Sequence, residues 1–329
     1  MKHMRLFLFL ICLLLPATVQ AACEGRDLKA DLTPAAWAEL EQALEGVPYP
    51  EGNHWIATKG DTVLHLIGTL HLNDPRMGAI VERLTPTLSQ ADAFYFEVTR
   101  NEMDAWEQEL ALDPSPIMIT SGPTLIDLLP EEAWATLSSA LDERGIPSWM
   151  GAKMRPWFLG MTLAMPACLI GDPEASRGLD ARLTELAEEN GIPQFSLESI
   201  EELMAMFEIH TIEEQAESLA RMANAYGNSD DQMATMKNAY FDENHAHSIE
   251  LGRIMARKYS GMSPEVFDEE WNAFEQHLLI ERNNNWMPHI LNIQDQTAVI
   301  AVGAGHLSDT HGLLNQLQQA GYTLTRAPF

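Results

Sequence analysis

Val299-Ile300-Ala301-Val302-Gly303-Ala304-Gly305-His306-Leu307 is an apolar run that ends abruptly in glycines and a histidine. A short run of this kind fits a strand buried on both faces, as in the interior of a parallel sheet. A second copy, Val63-Leu64-His65-Leu66-Ile67-Gly68-Thr69-Leu70-His71-Leu72, stands near the other end of the chain. Each reads as a strand followed by Gly-x-x-His, and open α/β sheets bind ligands just beyond the carboxyl ends of such strands. The two imidazoles, 235 positions apart, are therefore expected in one pocket.

The chain around these strands reads as an α/β core with a helical insertion. Thr33 and Pro34 form a cap and first-turn pair for a helix through Leu44, closed by Gly46. Residues 54–58 and 62–68 predict a hairpin around Lys59-Gly60-Asp61. Asp74 and Pro75 then open a helix to about Ser89, and residues 92–98 form the next strand, completing a β-α-β unit. From about 101 to 294 the pattern is mainly helical, interrupted by a short strand, Gln194–Leu197, that arrives at Glu198. The last unit is a strand over 298–302, a helix from about Asp309 to Ala320, Gly321 and a strand over 322–326. Strands at both sequence ends with helices between them predict one domain over residues 22–329 rather than two.

Composition narrows the function classes. The 329 residues are 46% hydrophobic and 21% charged, which fits a globular protein with a substantial core. Lys2 and Arg5, the apolar run Leu6–Leu15 and the small residues near Ala21 read as a secretory signal over residues 1–21. No later stretch approaches the roughly 20 apolar residues of a membrane span. The expectation is an exported protein, periplasmic or secreted, with no integral membrane segment after signal removal. Its formal charge of -28 becomes -30 once Lys2 and Arg5 are lost, and nucleic acid would repel it. Cys12 leaves with the signal, so Cys23 and Cys168 remain as an even pair in an oxidising compartment. A disulfide between them and a lipid on Cys23 are both open.

Gly-x-x-His alone is weak: 20 Gly and 11 His in 329 residues give roughly 0.7 such patterns by chance. The flanking strands and following helices make the stronger argument. Glycine allows close backbone approach, and histidine offers a neutral nitrogen near neutral pH. Glu97 adds to it, because it ends the buried strand Ala93-Phe94-Tyr95-Phe96 and an unpaired buried carboxylate costs several kcal/mol. Its counter-charge is Arg282, a metal ion, or an imidazolium at His71 or His306. Two imidazoles and a carboxylate form a first shell for a catalytic divalent ion. The plainer alternatives are two core histidines bonded to carbonyls and a Glu97–Arg282 pair that anchors a helix. His54, His65 and His311 lie near the site and read as structural. Motifs for zincins, serine hydrolases and dinucleotide binding are absent, and Cys168 has no neighbouring base.

Gly68-Thr69-Leu70-His71, the strand-end Glu97, Glu281-Arg282-Asn283, and Gly303-Ala304-Gly305-His306-Leu307 with Gly312-Leu313-Leu314 and Ala320-Gly321-Tyr322 together resemble the TraB/GumN family over about residues 35–329. Arg177-Gly178-Leu179-Asp180 and Leu197-Glu198-Ser199 resemble its intermediate blocks. The resemblance implies a mixed sheet core of the kind shared with ChaN-like haem-binding proteins and erythromycin-esterase-like hydrolases. It also implies kinship with the Tiki proteases, metal-dependent enzymes that trim secreted signalling proteins and whose activity is attributed to two Gly-x-x-His motifs and a glutamate. Carried over by motif, His71, His306 and Glu97 would hold the metal, and Arg282 and Asn283 would support them. Gly68, Gly303 and Gly305 would line the site. One departure is Asp309, where the family often has glycine; it is expected to cap the next helix or to add a carboxylate to the site.

The resulting expectation is an exported metallohydrolase of peptides or proteins using Mn, Co or Zn. Its rivals are a haem- or metal-binding protein without turnover and a metal-independent His/Glu esterase.

Overall fold

The computed structural model describes residue 23 and residues 25–329, so the expected export signal lies outside the described residues. Six strands form one mixed sheet in the order β4-β3-β5-β2-β1-β6. They are β1 (His54–Lys59), β2 (Thr62–Thr69), β3 (Ala93–Phe96), β4 (Gln194–Ser196), β5 (Thr297–Gly303) and β6 (Thr323–Arg326). The predicted hairpin is β1 against β2, in register from His54 opposite Ile67 to Lys59 opposite Thr62, and Gly60 at φ 60° makes its turn.

Chain order and sheet order part company at β5. It enters from the C-terminal segment between β2 and β3, running parallel to both from Val63↔Thr297 to Thr69↔Gly303 and from Ala93↔Ala298 to Phe96↔Ala301. The crossover from β2 to β3 therefore skips a strand. β4 extends the parallel set beyond β3, while β6 closes the other edge antiparallel to β1. Four neighbouring parallel strands consequently deliver their carboxyl ends to one edge of the sheet, and the two histidine motifs are side by side.

Helices cover both faces, which explains why β2 and β5 are buried along nearly their whole length and mostly apolar. Ile67, Phe94, Phe96, Val299 and Ala301 pack against the helices Met77–Leu88 and Leu179–Glu189. Leu64, Leu66, Ala298, Ile300 and Val302 pack against Trp286, Met287 and Ile290 of the helix Glu281–Leu291 and against Leu313, Leu314 and Leu317. The intervening helices build a core of their own around Leu125, Leu137, Leu141, Leu159, Leu163 and Leu219. Among the described residues no helix is long and apolar enough to cross a membrane.

Thr33 caps the helix Pro34–Leu44 as expected, accepting from Ala36 N. The final helix differs from expectation. It spans Leu313–Gln319 with Gly312 at its N-cap, whereas Asp309 stands upstream in a left-handed turn at φ 78°. Asp309 therefore caps no helix; its carboxylate accepts from the next residue, Thr310 N. The positive φ gives a physical reason for glycine to be common there in the resembled family.

Cys23 and Cys168 are joined as a disulfide, with Cα atoms 5.7 Å apart. Beyond Cys23 the chain lies along the helix Ser229–Phe241. Arg26 N donates to Asp231, Leu28 N to Thr235 Oγ, and Asn238 Nδ2 to Asp27.

Candidate functional site

Gly68 lets the two motifs meet. A Cβ there would lie 2.9 Å from Leu307 Cδ1 and 3.1 Å from Ala304 Cα, so any larger residue would push the turn after β5 away from β2. Its neighbour on the opposite face behaves differently. A Cβ built on Gly303 would stand 3.3 Å from Glu97 Oε1, 3.6 Å from His306 Cδ2 and 3.8 Å from His71 Nε2. Glycine thus leaves a niche at the end of β5 that is walled by all three residues singled out in the sequence. Gly305 instead borders Ile249 and Leu279 at ordinary contact distance.

The two imidazoles are anchored unequally at Nδ1. His306 Nδ1 donates to Asn283 Oδ1 at 2.7 Å, an assignment fixed because Asn283 Nδ2 is committed to the carbonyls of His306 and His311. His71 Nδ1 lies 3.3 Å from Asp180 Oδ1. Gly178 permits that contact, since a Cβ on it would overlap Leu70 O and the His71 backbone. Leu179 N also donates to Leu70 O at 2.9 Å, tying the start of the helix Leu179–Glu189 to the motif. Both Nε2 atoms are left toward Glu97, that of His306 lying 3.9 Å from Glu97 Oε1.

Arg282 organises the charges. A π-helical turn at Gln276–Ile280 precedes the helix Glu281–Leu291 and sets Arg282, Asn283 and Trp286 on its buried side. Arg282 Nη2 donates to Glu97 Oε2 at 2.6 Å, Nε donates to Glu198 at 3.0 and 3.2 Å, and Nη2 also reaches Glu198 Oε1. Its Nη1 donates to the lone pair of His306 Nε2 at 3.2 Å. Glu97 Oε1 accepts from Gly303 N at 2.6 Å. The Glu97–Arg282 pair foreseen as the plainer alternative is thus present, but it shares its guanidinium with Glu198 and touches the histidine site. Two buried carboxylates face one arginine.

Burial opposes the charge on Glu97, but His306, Arg282, His71 and the Gly303 amide more than offset it, and its pKa is lowered to about 2. Burial lowers His306 to about 3, which keeps it neutral. For His71, crowding opposes the charge while Asp180 and then Glu97 raise the pKa, to about 9. The His71 side chain is 62% exposed, so water screens this pair and the direction of the shift is what matters. Burial raises Glu198, against the pull of Arg282.

The remaining histidines stand elsewhere. His54 and His65 bond each other at 3.1 Å within the β1–β2 hairpin, with His54 Nδ1 on Pro328 O at 2.8 Å. His311 lies beside Thr310 and Asp309. Asp180 and Glu198 were visible in the sequence only as parts of motif blocks, and no role was drawn from them. Among the described residues no three His, Cys, Asp or Glu side chains stand already arranged to hold a metal ion.

The TraB/PrgY/gumN family model matches residues 53–326, and the chain belongs to that family. No curated protein and no solved structure matches the chain.

Proposed function

From this membership and this geometry we propose a metal-dependent hydrolase, specifically an exported peptidase, with its centre at the Gly303 niche. The observation that carries the reading is the paired orientation of the histidines. His306 ties Nδ1 to Asn283 Oδ1, His71 places Nδ1 3.3 Å from Asp180 Oδ1 as a charge pair without a formed hydrogen bond, and both Nε2 atoms border the niche walled by Glu97. Metal-binding histidines are typically oriented by such outer partners. The donor set fits a divalent ion such as Mn, Co or Zn, held by His71, His306 and Glu97 once His71 gives up its Nε2 proton and Arg282 releases His306 Nε2. When bound, the ion supplies Lewis-acid polarisation and lowers the pKa of water from about 16 toward 7.

The protein's own groups divide the remaining work. Glu97, held ionised, is a feeble base at neutral pH, which supports a role in holding the cation over one in taking a proton. Asn283 fixes the plane of His306, and Asp180 stands beside His71 Nδ1 as its charge partner. Arg282 orients Glu97 through its guanidinium and supplies positive charge where a carbonyl oxygen becomes negative. Export is supported by the Cys23–Cys168 pairing, which an oxidising compartment favours. Kinship of the sheet with ChaN-like and erythromycin-esterase-like folds belongs to the same reading.

Metal analysis of the purified protein, followed by digestion of a peptide library with and without chelator, tests the proposal. Bound Mn, Co or Zn and chelator-sensitive cleavage are expected. Tight haem, or full metal occupancy without turnover, would instead establish a binding protein. Chelator-resistant ester cleavage would favour the Arg282-closed site as a metal-independent His/Glu esterase.

A further inference from the structure

Thr69, the residue after the first motif glycine, is 3% exposed, and its Oγ has no hydrogen-bond partner. A buried hydroxyl without a partner is unfavourable, so its position calls for a reason. The sheet register supplies one. Thr69 is paired with Gly303 in the parallel β2–β5 ladder, and residues paired in this way present side chains to the same face. That face carries Ile67, Val299 and Ala301 below the pair. Thr69 thus stands next to the niche that the glycine leaves, whose walls include Glu97 Oε1 and His71 Nε2.

A small polar molecule in that niche has a carboxylate oxygen and an imidazole nitrogen at its walls, and the register sets Thr69, with its uncommitted hydroxyl, beside it. An ordered water requires two to four such partners. We propose that Thr69 Oγ is a positioning group that holds the water consumed in hydrolysis, together with Glu97. The inference deepens the hydrolase reading and rests on it for its catalytic part, while the water site itself is readable without turnover. Two features of the chain agree with it. The hydroxyl side of the niche is rigid, because Gly68, the residue before Thr69, donates its N–H to Asn53 O at 2.7 Å and accepts from Tyr240 Oη at 3.0 Å. The carboxylate side is rigid through Gly303 N and Arg282.

The test compares high-resolution crystal structures, melting temperatures and peptide kinetics of the wild type, Thr69→Val and Thr69→Ser. The wild type is expected to show a water within hydrogen-bonding reach of both Thr69 Oγ and Glu97, and Thr69→Val is expected to lack it. Because valine keeps the shape of the side chain, its melting temperature is expected to stay close to the wild-type value. Its kcat on peptides that the wild type cleaves is expected to fall about 10- to 100-fold with KM little changed, and serine is expected to restore both water and rate. A wild-type map with Thr69 Oγ bonded only to protein, or a valine variant with unchanged kcat, overturns the proposal. A wild type that cleaves nothing refutes the hydrolase reading, and the density then decides for or against the Thr69 water site alone.

Discussion

Replacing Arg282 by methionine keeps much of the packing on Trp286 and removes the guanidinium shared by Glu97 and Glu198. Five interactions are lost at once: those with the two carboxylates, Leu278 O at 3.3 Å, His306 Nε2 at 3.2 Å and the Trp286 ring. Stripping the partner from a buried ion pair costs about 3–5 kcal/mol, and here two acids are orphaned together, so the upper end is expected. The pH dependence is more diagnostic than the size. Glu97 is depressed to about 2 from 4.5, so its wild-type contribution, up to about 3 kcal/mol, is complete above pH 4.5 and is lost as pH falls toward 2. In Arg282→Met, burial without the arginine raises both carboxyls, and acidification then relieves the variant. The gap between the two proteins is therefore largest at neutral pH and shrinks steadily below about pH 5. Urea titrations from pH 7 to 3, followed by tryptophan fluorescence, measure it. A neutral-pH loss below about 1 kcal/mol, or a gap that stays constant with pH, would refute the charge assignment.

Gly303→Ala tests the niche without disturbing the fold. The backbone there, φ -50° and ψ 136°, suits alanine, and the added methyl meets Glu97 Oε1 at 3.3 Å, so stability is expected to change by no more than about 1 kcal/mol. Metal affinity by calorimetry should fall at least about 10-fold, and an unchanged affinity would place the site elsewhere. Burial lowers His65 and His245 to about 4 each, so both stay neutral in the folded chain while the unfolded chain takes up protons below about pH 6.5. Their stabilisation is present above that pH and is lost as pH falls toward 4; urea midpoints that stay flat between pH 6.5 and 5 would contradict it. Cys23→Ser opens a link spanning 145 positions and is expected to lower unfolding free energy by about 2–4 kcal/mol in non-reducing buffer, with no difference from wild type once both are reduced.

The sheet's interior was readable because β2 and β5 are apolar on both faces, a pattern that demands helices on each side. The meeting of His71 and His306 was expected from the rule about strand ends, and the place of Glu97 beside them from the cost of leaving a buried carboxylate unpaired. What the sequence could not display was pairing across distance. Nothing local to Thr297–Gly303 says that it slots between β2 and β3, because that register is settled by packing of segments more than 200 positions apart. Glu198 and Asp180 were legible as residues but not as partners, since their roles depend on where Arg282 and His71 arrive in space. The late start of the final helix turned on the left-handed backbone at Asp309, a conformation that aspartate tolerates but does not announce.

The claim beneath the functional reading is that two imidazoles and one carboxylate serve a single cation. An anomalous-scattering map from crystals soaked in Mn or Zn tests it most directly. One peak is expected within bonding distance of His71 Nε2, His306 Nε2 and Glu97, with Arg282 turned away from His306. A map with no peak there, and with Arg282 still donating to His306 Nε2 in metal-saturated crystals, would contradict it.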